Sequence, residues 1–340
     1  MNKSKLILKD GTELEGMSFG APKGVSGEVV FATGMVGYPE SLTDPSYRGQ
    51  ILVMTYPLVG NYGVPEKKYW ESDRIQVAGL IVSNYIDTPS HHQSRMTLGK
   101  WLKLQGVPAL EIKDTRFLTQ KIRTEGAMLG RIGDGEFEDP NLRNLVAEVS
   151  IKKPKVEGKG KKTVVLIDCG AKNNIRRSLA ARDLRVITVP WNYDIFKLKK
   201  FHGLVISNGP GDPKMAGKTI ETVRAALSKK IPILGICLGN QILALAAGGN
   251  TKKLKFGHRG QNQPCRLVGT DKCFLTTQNH GFVVSKIPAG FAGWFVNVND
   301  GTNEGMIHKK LPFMSVQFHP EATPGPTDTN WIFDKFYEKL

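Results

Sequence analysis

The second half of the chain alternates continuously apolar runs with helical patterns, and this alternation limits the folds that it can adopt. Residues 164–167, 203–207 and 231–236 are strongly apolar, and the segments between them include patterns with the spacing of helices. Strands that are apolar on both faces are typical of parallel sheets that helices cover on both sides. We therefore predict an α/β domain with a mainly parallel sheet, and we expect its active site at the carboxyl ends of the strands.

The first half of the chain has more strand patterns and frequent glycine and proline. Residues 5–8 and 12–16 flank Asp10 and Gly11, which predicts a β-hairpin with a tight turn. Further strand patterns lie at 27–33, 50–56 and 76–83, and helical patterns lie at 96–105 and 115–125. Asp114 is the expected N-cap of the last helix. We expect a strand-rich α/β domain.

A lysine-rich stretch lies between the two halves. Residues 151–162 read IKKPKVEGKGKK, which includes six lysines, two glycines and a proline. Such a stretch buries little apolar surface, and its like charges extend it, so we predict a linker. The expected organisation is a first domain over 1–150, a linker over 151–162 and a second domain over 163–340.

The net charge of +16 raises the question of a nucleic-acid partner. Apart from the lysine-rich stretch, the basic residues are spread along the chain, and no zinc-finger, RNA-binding or basic heptad motif is present. Specific nucleic-acid binding is therefore not expected. The four cysteines have no disulfide or zinc spacing, and no apolar run is long enough to cross a membrane. We expect a cytoplasmic protein with free thiols and no signal peptide.

Cys237 lies between an apolar strand and a helical segment, in the pattern Gly-x-Cys-x-Gly. This is the pattern of a nucleophile elbow, with cysteine in place of serine. Gly235 and Gly239 allow strand and helix to approach closely, and the helix N-terminus favours the nucleophilic thiolate. A buried thiol in a tight turn would give the same short pattern, so the interpretation depends on partner residues elsewhere.

Suitable partners follow a second apolar strand near the C-terminus. Residues 313–318 lead into His319, Pro320 and Glu321. A cysteine nucleophile needs a base that takes its proton and returns it to the leaving group, and that base needs a carboxylate that orients it. The pair also resembles half of a deaminase signature, but the second half of that signature is missing. A chance pairing among the seven histidines is the other alternative.

The remaining histidines are weaker candidates for catalysis. We expect surface or capping roles for His91, His92, His202, His258 and His308. His280 lies within residues 278–282, which we interpret as a substrate-contact loop or as a plain polar turn.

The backbone N–H of Leu238, directly after the nucleophile, is a candidate oxyanion donor. Gly209, in the glycine-rich turn 208–213, is the second candidate. Residues 211–219 resemble a phosphate-binding loop, but the spacing is one residue too long and Asp212 opposes a phosphate, so ATP binding is not expected there.

The motifs together resemble a known family. Residues 235–241 (GICLGNQ) and 319–321 (HPE) resemble the class I glutamine amidotransferases, cysteine enzymes that release ammonia from glutamine. The first half resembles carbamoyl-phosphate synthetase small subunits and no other amidotransferase, on the motifs TGMVGYPE (33–40), LTDPSY (42–47), TYP (55–57) and GNYG (60–63). The resemblance runs from residue 6 to the C-terminus.

The resemblance implies a strand-rich N-terminal domain that docks on a large synthetase subunit, and a C-terminal class I amidotransferase domain. In it, Cys237 attacks glutamine, His319 moves protons and Glu321 orients His319, while the backbone of Gly209 and Leu238 holds the oxyanion. The glutamine contacts that it implies are Ser46, Gly209, Gly211, Leu238, Gln241, Asn279, Gly281 and Phe282. Because Ser46 belongs to the first domain, the pocket is expected at a domain interface.

The implied activity is hydrolysis of L-glutamine to glutamate and ammonia. The large subunit of the heterodimer would use the ammonia, bicarbonate and two molecules of ATP to make carbamoyl phosphate for arginine and pyrimidine synthesis. ATP and Mg²⁺ are expected only in that subunit, so no cofactor or metal is expected here. The alternatives are an amidotransferase of another synthase and a non-catalytic docking subunit. Asn240 departs from the family, which usually has histidine at this position.

Overall fold

The computed structural model describes residues 2–340, which form two compact units. The N-terminal unit ends at Arg143, and the C-terminal unit runs from Asn144 to Leu340. No helix within residues 2–340 combines the length and the apolar character that crossing a membrane requires.

The N-terminal unit is built around a closed barrel of seven strands, in the order β1–β2–β8–β6–β4–β3–β9. Its elements are β1 (Lys3–Leu8), β2 (Glu13–Ser18), β3 (Val25–Ala32), α1 (Tyr38–Thr43), β4 (Gln50–Met54), β5 (Leu58–Val59), β6 (Gly79–Val82), β7 (Asn84–Tyr85), α2 (Leu98–Leu104), β8 (Ala109–Glu111), α3 (Thr115–Glu125) and β9 (Met128–Ile132). Strands β5 and β7 form a separate two-stranded sheet.

The local predictions for this unit are confirmed. Strands β1 and β2 pair antiparallel across the turn, with Leu6 opposite Leu14. Helix α3 begins after Asp114, whose carboxylate accepts a hydrogen bond from the Phe117 N–H at 2.8 Å. The closure of the barrel, where β1 pairs with β9, is not visible in the local pattern because it joins distant parts of the chain.

The C-terminal unit contains a ten-stranded sheet in the order β10–β12–β11–β13–β14–β19–β18–β17–β15–β16. Its elements are α4 (Leu145–Val149), β10 (Lys155–Glu157), β11 (Lys162–Asp168), α5 (Asn173–Ala180), β12 (Leu184–Pro190), β13 (Gly203–Ile206), α6 (Gly217–Ser228), β14 (Ile233–Ile236), α7 (Leu238–Ala246), β15 (Asn250–Leu267), β16 (Cys273–Lys286), β17 (Phe291–Asn297), β18 (Asn303–His308), β19 (Phe313–Val316) and α8 (Trp331–Tyr337).

The central strands β12, β11, β13, β14 and β19 are parallel neighbours, as predicted. Alternate residues of β11 enter different cores: Val165 packs in the core that includes α6 and α7, and Val164 packs in the core that includes α5 and α8. Burial on both faces explains why these strands are continuously apolar. The remaining strands join the sheet in antiparallel pairs.

The structure differs from the expected domain boundary and linker. The division falls between Arg143 and Asn144, and not at residue 150. Within the stretch predicted as a linker, β10 pairs antiparallel with β12, with Val156 opposite Ile187. All three residues of β10 are exposed. An edge strand can be held by backbone hydrogen bonds alone, so its composition does not reveal it.

Candidate active site

Cys237 lies on the sharp turn between β14 and α7. Its backbone has φ 55° and ψ −103°, a conformation that is strained for a residue with a side chain. A Cβ on Gly235 would lie 2.5 Å from the Gly239 carbonyl oxygen, and a Cβ on Gly239 would lie 2.2 Å from the Ile206 carbonyl oxygen. Both positions therefore need glycine, and the turn has the geometry of a nucleophile elbow.

His319 and Glu321 are paired in the buried interior of the same unit. His319 Nδ1 lies 2.6 Å from Glu321 Oε1, and each residue is 1% exposed. Because a carboxylate accepts hydrogen bonds, the pair places a proton on Nδ1 and orients the ring. Nε2 makes no hydrogen bond of regular geometry within residues 2–340. It is therefore available to exchange a proton with the Cys237 sulfur.

Charges around the pair favour the ionised forms of both residues. Burial lowers the pKa of His319, but the Glu321 carboxylate and then Cys237 outweigh it and raise that pKa to about 10. Burial raises the pKa of Glu321, but Lys172 and then His319 outweigh it and lower that pKa to about 2. The arrangement therefore favours the imidazolium form of His319, which can give a proton to a leaving group.

The low pKa of Glu321 predicts an acid-dependent stability contribution. A carboxyl with a depressed folded-state pKa stabilises the fold above its unfolded value of 4.5, and this stabilisation is lost as pH falls through about 2. Its size is on the order of 3 kcal/mol. We expect the difference in unfolding free energy between wild type and Glu321→Gln, from urea melts, to narrow between these pH values. A difference that is constant with pH would contradict the ionised assignment.

Lys172 is a site residue that the sequence analysis did not assign. It follows β11, its side chain is 2% exposed, and its Nζ lies 3.1 Å from Glu321 Oε1. Nζ also donates a hydrogen bond to the Ala322 carbonyl. Asn174, two residues later, donates to the Glu321 carbonyl. The lysine and the asparagine belong to the segment GAKNN at 170–174, which gives no role by itself.

Gln317 connects Cys237 to the start of α7, and the sequence analysis missed it as well. Its Oε1 accepts hydrogen bonds from Asn240 at 3.0 Å and from Gln241 at 3.1 Å, and its Nε2 donates to the Cys237 sulfur at 3.7 Å. Asn240 also accepts from the Ser315 hydroxyl at 2.8 Å. The side chain of Asn240 is therefore connected to the Cys237 sulfur by hydrogen bonds through Gln317.

We expect Asn240→Ala to destabilise the protein by about 2 to 4 kcal/mol, because it leaves the buried Ser315 hydroxyl and the Gln317 amide each short of one partner. Thermal unfolding measures this effect. Asn250→Ala, at an exposed asparagine at the start of β15, is the control and should change stability little. Equal melting temperatures for the wild type, Asn240→Ala and Asn250→Ala would contradict a stabilising role for the hydrogen bonds of Asn240.

The segment 278–282 is part of β16, so its interpretation as a loop or turn is wrong. It pairs with β15, with Arg259 opposite Asn279. β15 contains irregularities on both sides of this pairing, which break the alternation that marks a strand in sequence. The Asn279 carbonyl accepts a hydrogen bond from the Cys237 thiol at 3.6 Å, and Gln241 Nε2 donates to the Phe282 carbonyl at 2.8 Å.

The residues that carry the two candidate oxyanion donors, Leu238 and Gly209, are neighbours in the structure. Leu238 is the first residue of α7, and its side chain lies 2.8 Å from the position that a Gly209 Cβ would take. Gly211 has φ +79° and packs beside Leu145. Helix α7 and strand β16 contact each other beside Cys237. They bring four further predicted glutamine contacts close to it, namely Gln241, Asn279, Gly281 and Phe282. Ser46 is in the N-terminal unit, in the turn Pro45–Tyr47, and its contact with glutamine stays a prediction.

The minor histidines separate into two groups. His202 accepts a hydrogen bond from the Thr163 N–H, and His308 accepts from Lys310 and Leu311, which confirms capping roles. His258 is only 8% exposed and lies in β15, opposite His280. The surface or capping role expected for His258 is therefore wrong, since it is enclosed by strands that the local pattern did not reveal.

Comparison with protein families agrees with this geometry. Residues 165–339, more than half of the chain, match the family described as glutamine amidotransferase class-I. The chain belongs to the class I glutamine amidotransferases. Residues 6–132 match the carbamoyl-phosphate synthase small chain, CPSase domain. The resemblance stated from the motifs is confirmed for both halves of this amidotransferase.

Curated relatives are similar to this amidotransferase over 98% of its length. Multifunctional protein pyr-3 of Neurospora crassa is 48% identical, and the match covers 21% of that protein. Multifunctional protein CAD of Squalus acanthias is 51% identical over 16% of its length, and the mitochondrial carbamoyl-phosphate synthase (ammonia) of Homo sapiens is 48% identical over 23%. The chain thus spans about a fifth of the length of these relatives.

Proposed function

We propose that the chain hydrolyses L-glutamine to L-glutamate and ammonia as the small subunit of a carbamoyl-phosphate synthetase. The observation that carries the proposal is Cys237 on a strained elbow, in the same unit as a buried His319 that is hydrogen-bonded to Glu321. The matches of both halves to the small chain and the amidotransferase support it.

In the proposed reaction, the Cys237 thiolate attacks the carboxamide carbon of glutamine and forms a tetrahedral intermediate. The backbone N–H groups of Leu238 and Gly209 hold the oxyanion. The carbon–nitrogen bond then breaks, and His319 gives its proton to the nitrogen, which leaves as ammonia. Water attacks the resulting thioester, His319 takes its proton, and the carbon–sulfur bond breaks to release glutamate and restore the thiolate–imidazolium pair.

Glu321 keeps the His319 ring in place throughout, and Lys172 keeps Glu321 ionised. Both act by position and charge, and neither bonds to the substrate. The glutamine contacts that we propose are Ser46, Gly209, Gly211, Leu238, Gln241, Asn279, Gly281 and Phe282. Fixed polar groups suit a substrate that carries an ammonium and a carboxylate at one end and the reacting amide at the other.

The ammonia passes to a large synthetase subunit, which makes carbamoyl phosphate from bicarbonate and two molecules of ATP. We place ATP and Mg²⁺ in that subunit, the partner of a cytoplasmic heterodimer. The relative that is named a carbamoyl-phosphate synthase supports the link to carbamoyl phosphate, whereas the heterodimer and its cytoplasmic location rest on the resemblance of the motifs. Carbamoyl phosphate then feeds arginine and pyrimidine synthesis.

A non-catalytic role is the second candidate, because the human relative is named for ammonia and not for glutamine. Family membership alone therefore does not establish glutamine hydrolysis. The residues of this chain do support it: Cys237, His319 and Glu321 are all present, and the charges around His319 and Glu321 favour the ionised forms of these two residues.

Glutamate release from glutamine by the purified chain, alone and mixed with the candidate large subunit, tests the proposal. We expect release to rise on mixing, and carbamoyl phosphate to form when ATP and bicarbonate are added. Release that does not respond to the large subunit would remove the synthetase assignment and keep the amidotransferase. No release under either condition would favour the docking role.

A further inference from the structure

Three buried side chains in the C-terminal unit are not used by the proposed mechanism. They are His258 in β15, His280 in β16 and Glu304 in β18, and we call them the His–Glu cluster. One ring nitrogen of each histidine and a carboxylate oxygen of Glu304 lie within 4.8 Å of one another. These side chains are the types that bind transition metals in proteins.

The hydrogen bonds of the two histidines fix which nitrogens face the cluster. His258 Nε2 lies 2.8 Å from Asp300 Oδ2, and His280 Nδ1 lies 2.9 Å from the Phe282 carbonyl oxygen. Both oxygens only accept, so these two nitrogens carry protons. In the neutral rings, His258 Nδ1 and His280 Nε2 therefore present lone pairs to the cluster, and His258 Nδ1 also lies 3.4 Å from the Asn297 side-chain amide nitrogen. A carboxylate or carbonyl behind each ring is the usual support of a metal-binding histidine.

Glu304 supplies the negative charge of the cluster. Its Oε1 lies 3.3 Å from His258 Nδ1 and 4.0 Å from His280 Nε2. Its Oε2 is buried and has no hydrogen-bond partner within residues 2–340. Oε1 also accepts a hydrogen bond from Asn297 at 3.3 Å, so Oε2 is the oxygen that lacks compensation, and a bound cation would supply it.

A second contact also points to a cation. His280 Nε2, which carries no proton in the neutral ring, lies 3.2 Å from Gln278 Oε1, so two acceptors face each other. Turning the Gln278 amide over would place its oxygen against Thr276 Oγ1, whose proton is already donated to the Gln263 carbonyl at 2.8 Å, and against the Cys265 thiol, which is only a weak donor. A positive ion between these acceptors would relieve the conflict.

We propose that the His–Glu cluster binds one divalent transition-metal ion, with Zn²⁺ as the best fit, through His258 Nδ1, His280 Nε2 and Glu304. Zinc takes nitrogen and oxygen ligands at about 2.0 to 2.2 Å, which places tetrahedral ligands about 3.4 Å apart. The separations of 3.3 Å and 4.0 Å approach this value, so small side-chain shifts complete the site. Ca²⁺ and Mg²⁺ are poorer fits because they prefer oxygen ligands.

The proposed site is connected to the segment that contacts the nucleophile. The Phe282 carbonyl that accepts from His280 also accepts from Gln241, and the neighbouring Asn279 carbonyl accepts from Cys237. A bound ion stabilises β16 directly behind the active site. The ligands come from three separate strands, so no short spacing motif reveals them, and this explains why the sequence analysis expected no metal.

Metal titration of the purified chain tests the proposal. The Cys237→Ala variant is used throughout, because it removes the active-site thiol as a competing zinc ligand and does not require glutaminase activity. After removal of metal with a chelator, we expect calorimetry with Zn²⁺ to show one equivalent bound. Adding Glu304→Gln or His258→Gln should weaken binding by about 10-fold or more. Adding His308→Gln, at a histidine outside the cluster, should leave it unchanged.

Co²⁺ gives a readout that needs no change in the cluster. We expect the Cys237→Ala chain to bind Co²⁺ with the visible absorption of nitrogen and oxygen coordination and without strong thiolate bands. Absence of stoichiometric Zn²⁺ binding by the folded chain would overturn the proposal. So would binding that is equally tight in folded Glu304→Gln and His258→Gln, or a cobalt spectrum dominated by thiolate.

Discussion

Replacing Cys237 by alanine is expected to reduce glutamate release by at least about 10³-fold, because the mechanism has no other nucleophile. Alanine keeps the backbone requirements of the elbow, since Cys237 already adopts its positive φ with a Cβ. The fold should therefore persist. Initial rates of glutamate formation in the presence of the large subunit measure the effect, and binding to that subunit should be retained.

Cys273→Ala is the matched control, because Cys273 is the exposed member of the four free thiols. We expect it to retain wild-type glutaminase activity. Glutamate release that survives in Cys237→Ala, or that is lost equally in Cys273→Ala, would contradict the assignment of the nucleophile. Mass spectrometry of the thioester formed with glutamine would then locate the reacting residue.

The second large effect is expected at Lys172. In Lys172→Met the buried Glu321 carboxylate loses its nearest lysine, and the Ala322 carbonyl loses a donor. Removing one partner of a buried ion pair costs about 3 to 5 kcal/mol of folding stability. Without the lysine the pKa of Glu321 rises. Glu321 then orients His319 less firmly and stabilises its imidazolium form less. We therefore expect kcat to fall about 10²-fold or more.

The pH dependence separates this positioning role from simple destabilisation. Well below the melting temperature, Lys172→Met should shift the pH profile of kcat and of Cys237 alkylation, with a smaller change in KM. Lys218→Met, which removes an exposed lysine paired with Glu221 at 2.9 Å, should change none of these quantities. A lower kcat with an unshifted pH profile would show that Lys172 acts only through stability.

Local sequence patterns predicted the elements that local chemistry decides. The Asp10-Gly11 hairpin, the cap at Asp114 and the apolar parallel strands follow from turn geometry, capping and two-sided burial. The barrel closure and the antiparallel strands between residues 250 and 308 were missed. These elements are held by pairing between distant parts of the chain. Strand β15 is also partly exposed and interrupted by register shifts, so neither an alternating pattern nor an apolar run indicates it in the sequence.

The same distinction applies to the site. Cys237 was found from a turn that needs glycine on both sides, and His319 with Glu321 was found because the two are near in sequence. Lys172 lies between β11 and α5, and Gln317 follows β19, two residues before His319; each is an ordinary polar residue until its neighbours are known. The position of Lys172, four residues beyond the end of β11 and so near the carboxyl ends of the parallel strands, is the one local signal that could have identified it.

The short strand β10 has a consequence for the behaviour of the protein in concentrated solution. It covers the backbone edge of β12, and it presents Lys155, Val156 and Glu157 to solvent. An uncovered edge recruits strands of other molecules, whereas a charged edge with nearby lysines repels them. The lysine-rich stretch therefore opposes pairing of this sheet edge with other molecules. We expect its removal to favour aggregation before it affects catalysis.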